Sequence, residues 1–471
     1  MGTKSAERSF LSNPLKMSQP LGGALAFLGL GGALPVFHGS QGCTSFGLVL
    51  LGRHFKESIP LQTTAMSEIT STLGGGENIS AALLKIFEKG SPSIVGLLST
   101  GLTETKGEDI VGEVRQFLKL RKETVKTPVV AVSTPDFKGG LEEGYQAAVC
   151  RIVEELVPGP APKKPFQLNI LAGSHLTVSD LDYLKEVTGR FGFEAVVLPD
   201  LSRSLDGFIP DRFAPMSMGG TTLEEIRSMG GARATLVIGK SLLPAGDLLF
   251  RKTGVPSVAI SRLMGLEAFD RFLLTLSHLS GRAIPESFHR ERGRLEDAML
   301  DSHFFLGGKK AVLALEPDLL NDFAAFMKGM GVSIPLAVSP TEAPILSEVP
   351  ADLVRVGDLG DLEEGAGSHR ADFLATHSHG RQASQRLGIP LFRMGFPVFD
   401  RLGATHRLLI GYRGAKETLF RISNLFLARE ESPDPETWYP GSSGEPVVFD
   451  DRDPVPIRPV VSAQVPSPEN A

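Results

Sequence analysis

Cysteine is nearly missing from this chain: Cys43 and Cys150 are the only two in 471 residues. Two distant thiols cannot form a disulfide framework, so the fold must rest on its apolar core, and the pattern points to a reducing, cytoplasmic setting. Basic clusters are lacking too. A net charge of −6 and no run of lysine or arginine exclude the electropositive face that a nucleic-acid backbone requires. No charged residue stands between Lys16 and Arg53, and Leu21 to Phe37 is apolar. That run sits at the short limit for a bilayer span and is rich in glycine before Pro35. It reads as a buried or subunit-facing segment, with membrane insertion as the alternative. It begins too late, and without a clean small-residue cleavage site, for a signal peptide. Two catalytic signatures are also absent, the G-x-x-x-x-G-K-[ST] phosphate loop and the G-x-S-x-G nucleophile elbow.

What is present is a repeating alternation of strands and helices. "SIVGLLST" and "TPVVAVST" read as buried strands, and Ile110, Val111, Val114, Phe117 and Leu118 fall on one helical face. Leu141 to Leu156 keeps helical spacing as well. Continuous apolar strands between amphipathic helices mean a parallel sheet covered on both faces, a doubly wound unit. "PGPAPKKP" cannot continue a helix and marks a boundary. The pattern restarts with "FQLNILAG", "FEAVVLP", "ATLVIG" and "PSVAI", then again, after helical material from Leu266 to about His303, with "AVLAL", "IPLAV" and "DFLAT". The chain length suits several domains. We read α/β domains over 1–160, 161–300 and 301–430, the last closed by a helix near Ala415 to Ala428. Residues 431–471, rich in Pro, Ser and Asp and holding the only tryptophan, Trp438, read as a disordered tail.

Most candidate sites have an ordinary reading. Gly29, Gly31 and Gly32 do not follow a strand, so they lack the context of a dinucleotide loop. "LGGGEN" leads into a helix and reads as an entry turn capped by Asn78 or Ser80, although such an end can receive an anion. His377 and His379 would share a side if their strand continued, yet a metal needs further ligands that the neighbourhood does not offer. "GSHLT" (Gly173 to Thr177) is a helix-capping loop, and Cys150 suits the apolar flank of its helix. Cys43 differs. In "HGSQGCTSF", Gly39 and Gly42 let the backbone approach a bulky group and turn amides toward it, which suits an iron–sulfur ligand. Such a cluster takes four thiolates, so the remaining ligands would have to come from a second chain.

"NPLKMSQPLGGALAFLG" (Asn13 to Gly29), "PVFHGSQGCTSF" (Pro35 to Phe46), "RHFKESIPLQTTAMSE" (Arg53 to Glu68) and "LGGGENI" (Leu73 to Ile79), in that order and spacing, resemble the β-type chains of the molybdenum nitrogenase group. The resemblance implies three Rossmann-like parallel-sheet domains of nitrogenase component 1 type and a paired α-type chain. It also implies specific departures. The catalytic β chains carry cysteines, both ligands of the P-cluster, where this sequence has Ser18 and where it has the cysteine-free "GLTET". With only Cys43 retained, the pattern is similar to the β-type subunit of the NifEN scaffold, on which the iron-molybdenum cofactor of nitrogen fixation is matured. That resemblance implies that Cys43 supplies one ligand of an inter-subunit [4Fe-4S] cluster, the α-type partner NifE supplying three, in an α2β2 heterotetramer to which the reductase NifH docks. The cofactor precursor would lie mainly in NifE. No catalytic residue then falls to this chain, which would be a scaffold without turnover, and Ser18 would be an oxygen ligand or a buried hydrogen-bonding group. The rival readings are a β-type subunit of a catalytic nitrogenase or of a protochlorophyllide-type reductase, and a metal-free α/β binding module.

Overall fold

The computed structural model describes residues 4–5, 14–68, 70, 74–209, 211 and 214–429, and a compact unit ends at Leu427. The tail expected over 431–471, with Trp438, lies outside the described residues, as do Asn13 and Leu73.

Three all-parallel sheets organise the chain. The first has the order β3-β2-β4-β5, from β2 (Ala33–His38), β3 (Gln62–Thr63), β4 (Ile94–Ser99) and β5 (Val129–Val132). The second runs β7-β6-β8-β9, from β6 (Lys164–Leu171), β7 (Glu194–Leu198), β8 (Ala232–Ile238) and β9 (Ser257–Ile260). In the third, β10 (Lys310–Ala314), β11 (Ser333–Ser339), β12 (Val354–Val356), β13 (Phe373–Thr376) and β14 (Leu391–Arg393) are joined at the β12 edge by β1 (Lys4–Ser5), with Lys4 opposite Arg355. The inner strands β2 and β4, and the edge strand β5, are buried along their whole length, as helices on both faces of a parallel sheet require. β9, at a sheet edge, alternates exposed and half-buried residues.

The uncharged N-terminal run is interior, not membrane-spanning: it forms helix α1 (Gln19–Leu28), every residue of which is buried, and then β2. Among the described residues no helix is long and apolar enough to cross a membrane. Pro20 sits in the first turn of α1, where its missing N–H costs nothing. α1 lies directly on the Leu141–Leu156 helix, and glycine permits the contact. A Cβ on Gly22 would stand 1.9 Å from the Leu141 carbonyl oxygen, and one on Gly144 1.9 Å from that of Gln19. The Tyr145 hydroxyl then reaches across to donate to the Ala172 carbonyl at the end of β6, 2.9 Å away, tying the first sheet to the second.

Several elements differ from the sequence reading. The helical stretch from Leu266 is two helices, Leu266–Ser280 and Glu286–Leu306, because Gly281 takes a left-handed conformation and Pro285 cannot donate a backbone hydrogen bond. The last helix begins at Gly411. Short elements with weak periodicity, β1, β3, β12 and the helices Leu243–Thr253, Leu359–His369 and Arg381–Leu387, carry no signal that local pattern could isolate.

Candidate metal centre

β2 is the strand at which the order of the first sheet reverses, with β3 on one side and β4 on the other. In parallel α/β sheets ligands bind beyond the carboxyl ends of the strands at such a reversal. From that end the chain passes through Gly39 and Ser40 into α2 (Gln41–Phe55), so Cys43 stands in the first helical turn and not in an extended glycine-rich turn. The first N–H groups of a helix have no partner within it and concentrate partial positive charge. Ser40, at the cap, leaves them without a side-chain acceptor. Cys43 is exposed, with its Sγ 3.6 Å from Ser40 Oγ. The two flanking glycines do different work. A Cβ on Gly39 would come within 2.6 Å of Thr100 Oγ1, so its bareness serves packing inside the chain, whereas Gly42 faces open space with only Ser40 Oγ near, at 3.8 Å.

What fixes this loop is a buried network that sequence reasoning missed. His38, the last residue of β2, is shut from solvent, with Nδ1 3.0 Å from Thr64 Oγ1 and Nε2 2.6 Å from Glu108 Oε2. The Gly39 N–H donates to Thr64 Oγ1 at 3.2 Å, and the Thr100 and Thr103 hydroxyls donate to the His38 carbonyl. Burial lowers the pKa of His38, against the opposing pull of Glu108. For Glu108, burial alone would raise the pKa, but hydrogen bonds from Lys106 and His38 hold it below the ordinary value. The consistent assignment is a neutral imidazole donating from Nε2 to a carboxylate and accepting the Thr64 hydroxyl proton at Nδ1. His38 and Glu108 lie far apart in sequence, and no local motif announces their pairing.

Glu108 also settles the "LGGGEN" turn. The helix there begins at Gly76 with Gly75 at its cap, not Asn78 or Ser80. Glu108 Oε1 accepts the Gly75 N–H at 3.1 Å, so the chain fills this helix end with its own anion. Asn78 instead donates to the Thr64 carbonyl at 3.3 Å.

Ser18 is half-buried at the cap of α1 and makes no capping bond. Asp136 takes that role, accepting the Gln19 N–H at 2.8 Å. Ser18 lines a cleft of about 450 Å³ shared with Lys16, Met17, Phe46, Leu50, Asp136, His379 and Arg381. Phe46, one helical turn beyond Cys43, is 67 % exposed, and Val49, a further turn on, is 51 % exposed. Thiol, bare serine, cleft and apolar pair therefore share one exposed region.

The remaining candidates are structural. β13 ends at Thr376, so His377 and His379 leave the strand. His377 is buried, its Nδ1 accepting the His379 N–H at 3.3 Å, while His379 lines the cleft. Thr177 caps the Val178–Arg190 helix in a reciprocal box with Asp180, as read from "GSHLT". Cys150 is half-buried, and burial, with Glu154 nearby, pushes its pKa to about 11. Gly29 packs on Pro199, where a Cβ would come within 2.5 Å. Among the described residues no three His, Cys, Asp or Glu side chains converge on one point.

Residues 18–427 match the family described as nitrogenase component 1 type oxidoreductase. The chain belongs to this family. The chain is 48 % identical, over 90 % of its length and 92 % of the relative, to the nitrogenase iron-molybdenum cofactor biosynthesis protein NifN of Bradyrhizobium diazoefficiens. It is 49 % identical to the NifN of Mesorhizobium japonicum, over 92 % and 94 % of the two chains. Among solved structures, a chain of "Nitrogenase Cp1 at pH 6.5" superposes with a TM-score of 0.86 at 30 % identity, covering 91 % of this chain and 96 % of that one. The three-sheet α/β fold expected from the sequence is thus the nitrogenase component 1 fold.

Proposed function

We propose that this chain serves in biosynthesis of the iron-molybdenum cofactor of nitrogenase, as the β-type subunit of a scaffold whose α-type partner is NifE. The observation that carries the reading is a single exposed thiol in the first turn of α2, at the carboxyl end of β2, in a chain close to the NifN proteins. One thiol fits one share of a [4Fe-4S] cluster, which takes four ligands, and the partner would supply three.

A bound cluster would supply one-electron transfer at the subunit junction. This chain's own part is mechanical and electrostatic. The His38–Glu108–Thr64 network holds the end of β2, and through Gly39 and Ser40 it sets where α2 begins and where Cys43 points. The first-turn N–H groups of α2, which have no side-chain acceptor at the cap, would donate toward the anionic sulfur of a bound cluster. Phe46 and Val49, once covered by the partner, would keep water from the ligand. No acid, base or nucleophile for turnover is assigned to this chain. The cofactor precursor would sit mainly in the partner, and NifH would dock as reductase on an α2β2 heterotetramer in the cytoplasm.

The test is co-expression with the partner, anaerobic purification, and measurement of iron, sulfide and the reduced-state EPR signal for the native chain and Cys43→Ala. Loss or alteration of the signal in the variant supports the reading. An unchanged spectrum and iron content would overturn the ligand role, and dinitrogen or acetylene reduction at nitrogenase-like rates would favour a catalytic β chain.

A further inference from the structure

At the far end of α2 from Cys43 lies a pair of guanidiniums without counter-charges among the described residues. Arg53, in the last turn of α2, and Arg381, opening the Arg381–Leu387 helix, both approach the ring of Phe399, their Cζ atoms 4.0 and 5.5 Å from its centroid. His379 meets the same ring edge-on at 5.1 Å. Both guanidiniums lower the pKa of His379, after the larger effect of burial, so the imidazole adds no charge of its own to theirs. Its Nδ1 is shut from water without a hydrogen-bond partner. Neither Arg53 nor Arg381 has a carboxylate within ion-pair reach among the described residues, whereas Arg393 is paired with Asp400 at 2.7 Å nearby. Lys16, across the cleft, spends its ammonium on the Asp136 carbonyl oxygen at 2.7 Å.

Two guanidiniums gathered on one aromatic ring repel each other, and the ring's negative face offsets only part of that repulsion. They are also held in place, since the ring restricts their freedom. The adjoining cleft of about 450 Å³ has an apolar wall, Met17, Phe46 and Leu50, and a charged rim of Lys16, Arg381 and Asp136, the last with its carboxylate engaged by the Gln19 N–H. This is the layout of a protein-binding depression, an apolar anchor pocket beside fixed charges. A site for a small anion alone would not need the apolar wall. The wall is continuous with exposed Phe46, one turn from Cys43.

We propose that this cleft receives an acidic segment of the α-type partner, with an apolar side chain against Phe46 and Leu50 and a carboxylate held by Arg381 and Arg53. The inference rests on the proposed assembly and deepens it by naming what the partner must present. Charge pairing of this kind sets association rate and register, and it weakens with salt.

The experiment measures the affinity of the purified chain for its partner at two ionic strengths, for the native chain, the double variant Arg53→Gln/Arg381→Gln, and Arg294→Gln as a control of like charge on the distant Glu286–Leu306 helix. Circular dichroism and melting confirm that each variant is folded. The expected result is about tenfold or greater weakening for the double variant, with a flatter salt dependence, and no change for the control. Native-like affinity and salt dependence in the double variant would overturn the inference while leaving the assembly intact. Protection of the cleft by inorganic phosphate or citrate, with partner affinity unchanged in the variant, would reassign it as a small-anion site and likewise overturn it. Failure of the native chain to bind the partner at all would instead bring down the assembly itself.

Discussion

His38 Nε2 and Glu108 Oε2 stand 2.6 Å apart, the imidazole fully buried and the carboxylate half-buried. Through this pair the end of β2 is fastened both to the Thr100–Thr103 turn and to the helix that begins at Gly76. Glu108→Gln keeps an acceptor for the imidazole but loses the charge facing Lys106 and the helix end. It is expected to cost about 1–2 kcal/mol of stability. Glu108→Ala, which strands the His38 Nε2–H and the Gly75 N–H, is expected to cost about 3 kcal/mol. Urea unfolding of both variants checks the order, and equal losses would show that the charge is immaterial.

Exposure separates the two thiols. In the isolated chain, iodoacetamide near pH 8 should label Cys43 rapidly, because it is exposed, and Cys150 slowly, because it is half-buried and its pKa is pushed to about 11. Mass spectrometry of the labelled peptides gives the ratio. In the assembled complex Cys43 should become protected.

The contact between α1 and the Leu141–Leu156 helix leaves no room for a methyl group. Gly22→Ala and Gly144→Ala each place a Cβ 1.9 Å from a backbone oxygen. Each is expected to destabilise by more than about 3 kcal/mol or to abolish folding. Gly189→Ala, in the Val178–Arg190 helix with nothing within 4 Å of the new carbon, should instead stabilise by about 0.5–1 kcal/mol. Thermal melting of the set distinguishes close packing from helix propensity.

Glu316 follows β10 and carries a buried Oε2 without a hydrogen-bond partner. Burial, and then the charge of Glu143, raise its pKa to about 8, against 4.5 for an unperturbed glutamate. Between those values the folded chain retains a proton that the unfolded chain has released, so stability falls as pH rises. Glu316→Gln should remove about 2 kcal/mol or more of that decline between about pH 5 and pH 8. Denaturant midpoints across the interval measure it, and parallel pH profiles for variant and native chain would refute it.

The strands that were legible in the sequence are those buried on both faces. β4, β5 and, after Lys310, β10 are continuous apolar runs, because a covered parallel sheet leaves no polar side to interrupt them; β6 was legible by its apolar end although Gln167 and Asn169 interrupt it. The Leu141–Leu156 helix was legible from end to end, since its apolar residues keep one period throughout. α2 was not. Its stripe is interrupted by glycines, and its outward Phe46 and Val49 are apolar where a solvent-facing position would ordinarily be polar. The same feature that hid the helix is what suits it to an interface.

Local order and chemistry followed from the chain alone: the α/β alternation, the apolar uncharged run before Arg53, and the single cysteine in "HGSQGC". These depend on periodicity and residue identity, which neighbouring positions carry. Only the tertiary structure placed Cys43 in a helix's first turn, brought Glu108 to His38, and set Arg53 and Arg381 on one ring. Such contacts join residues far apart in the chain, and their energies depend on which groups burial deprives of water. That is decided by packing and not by local pattern.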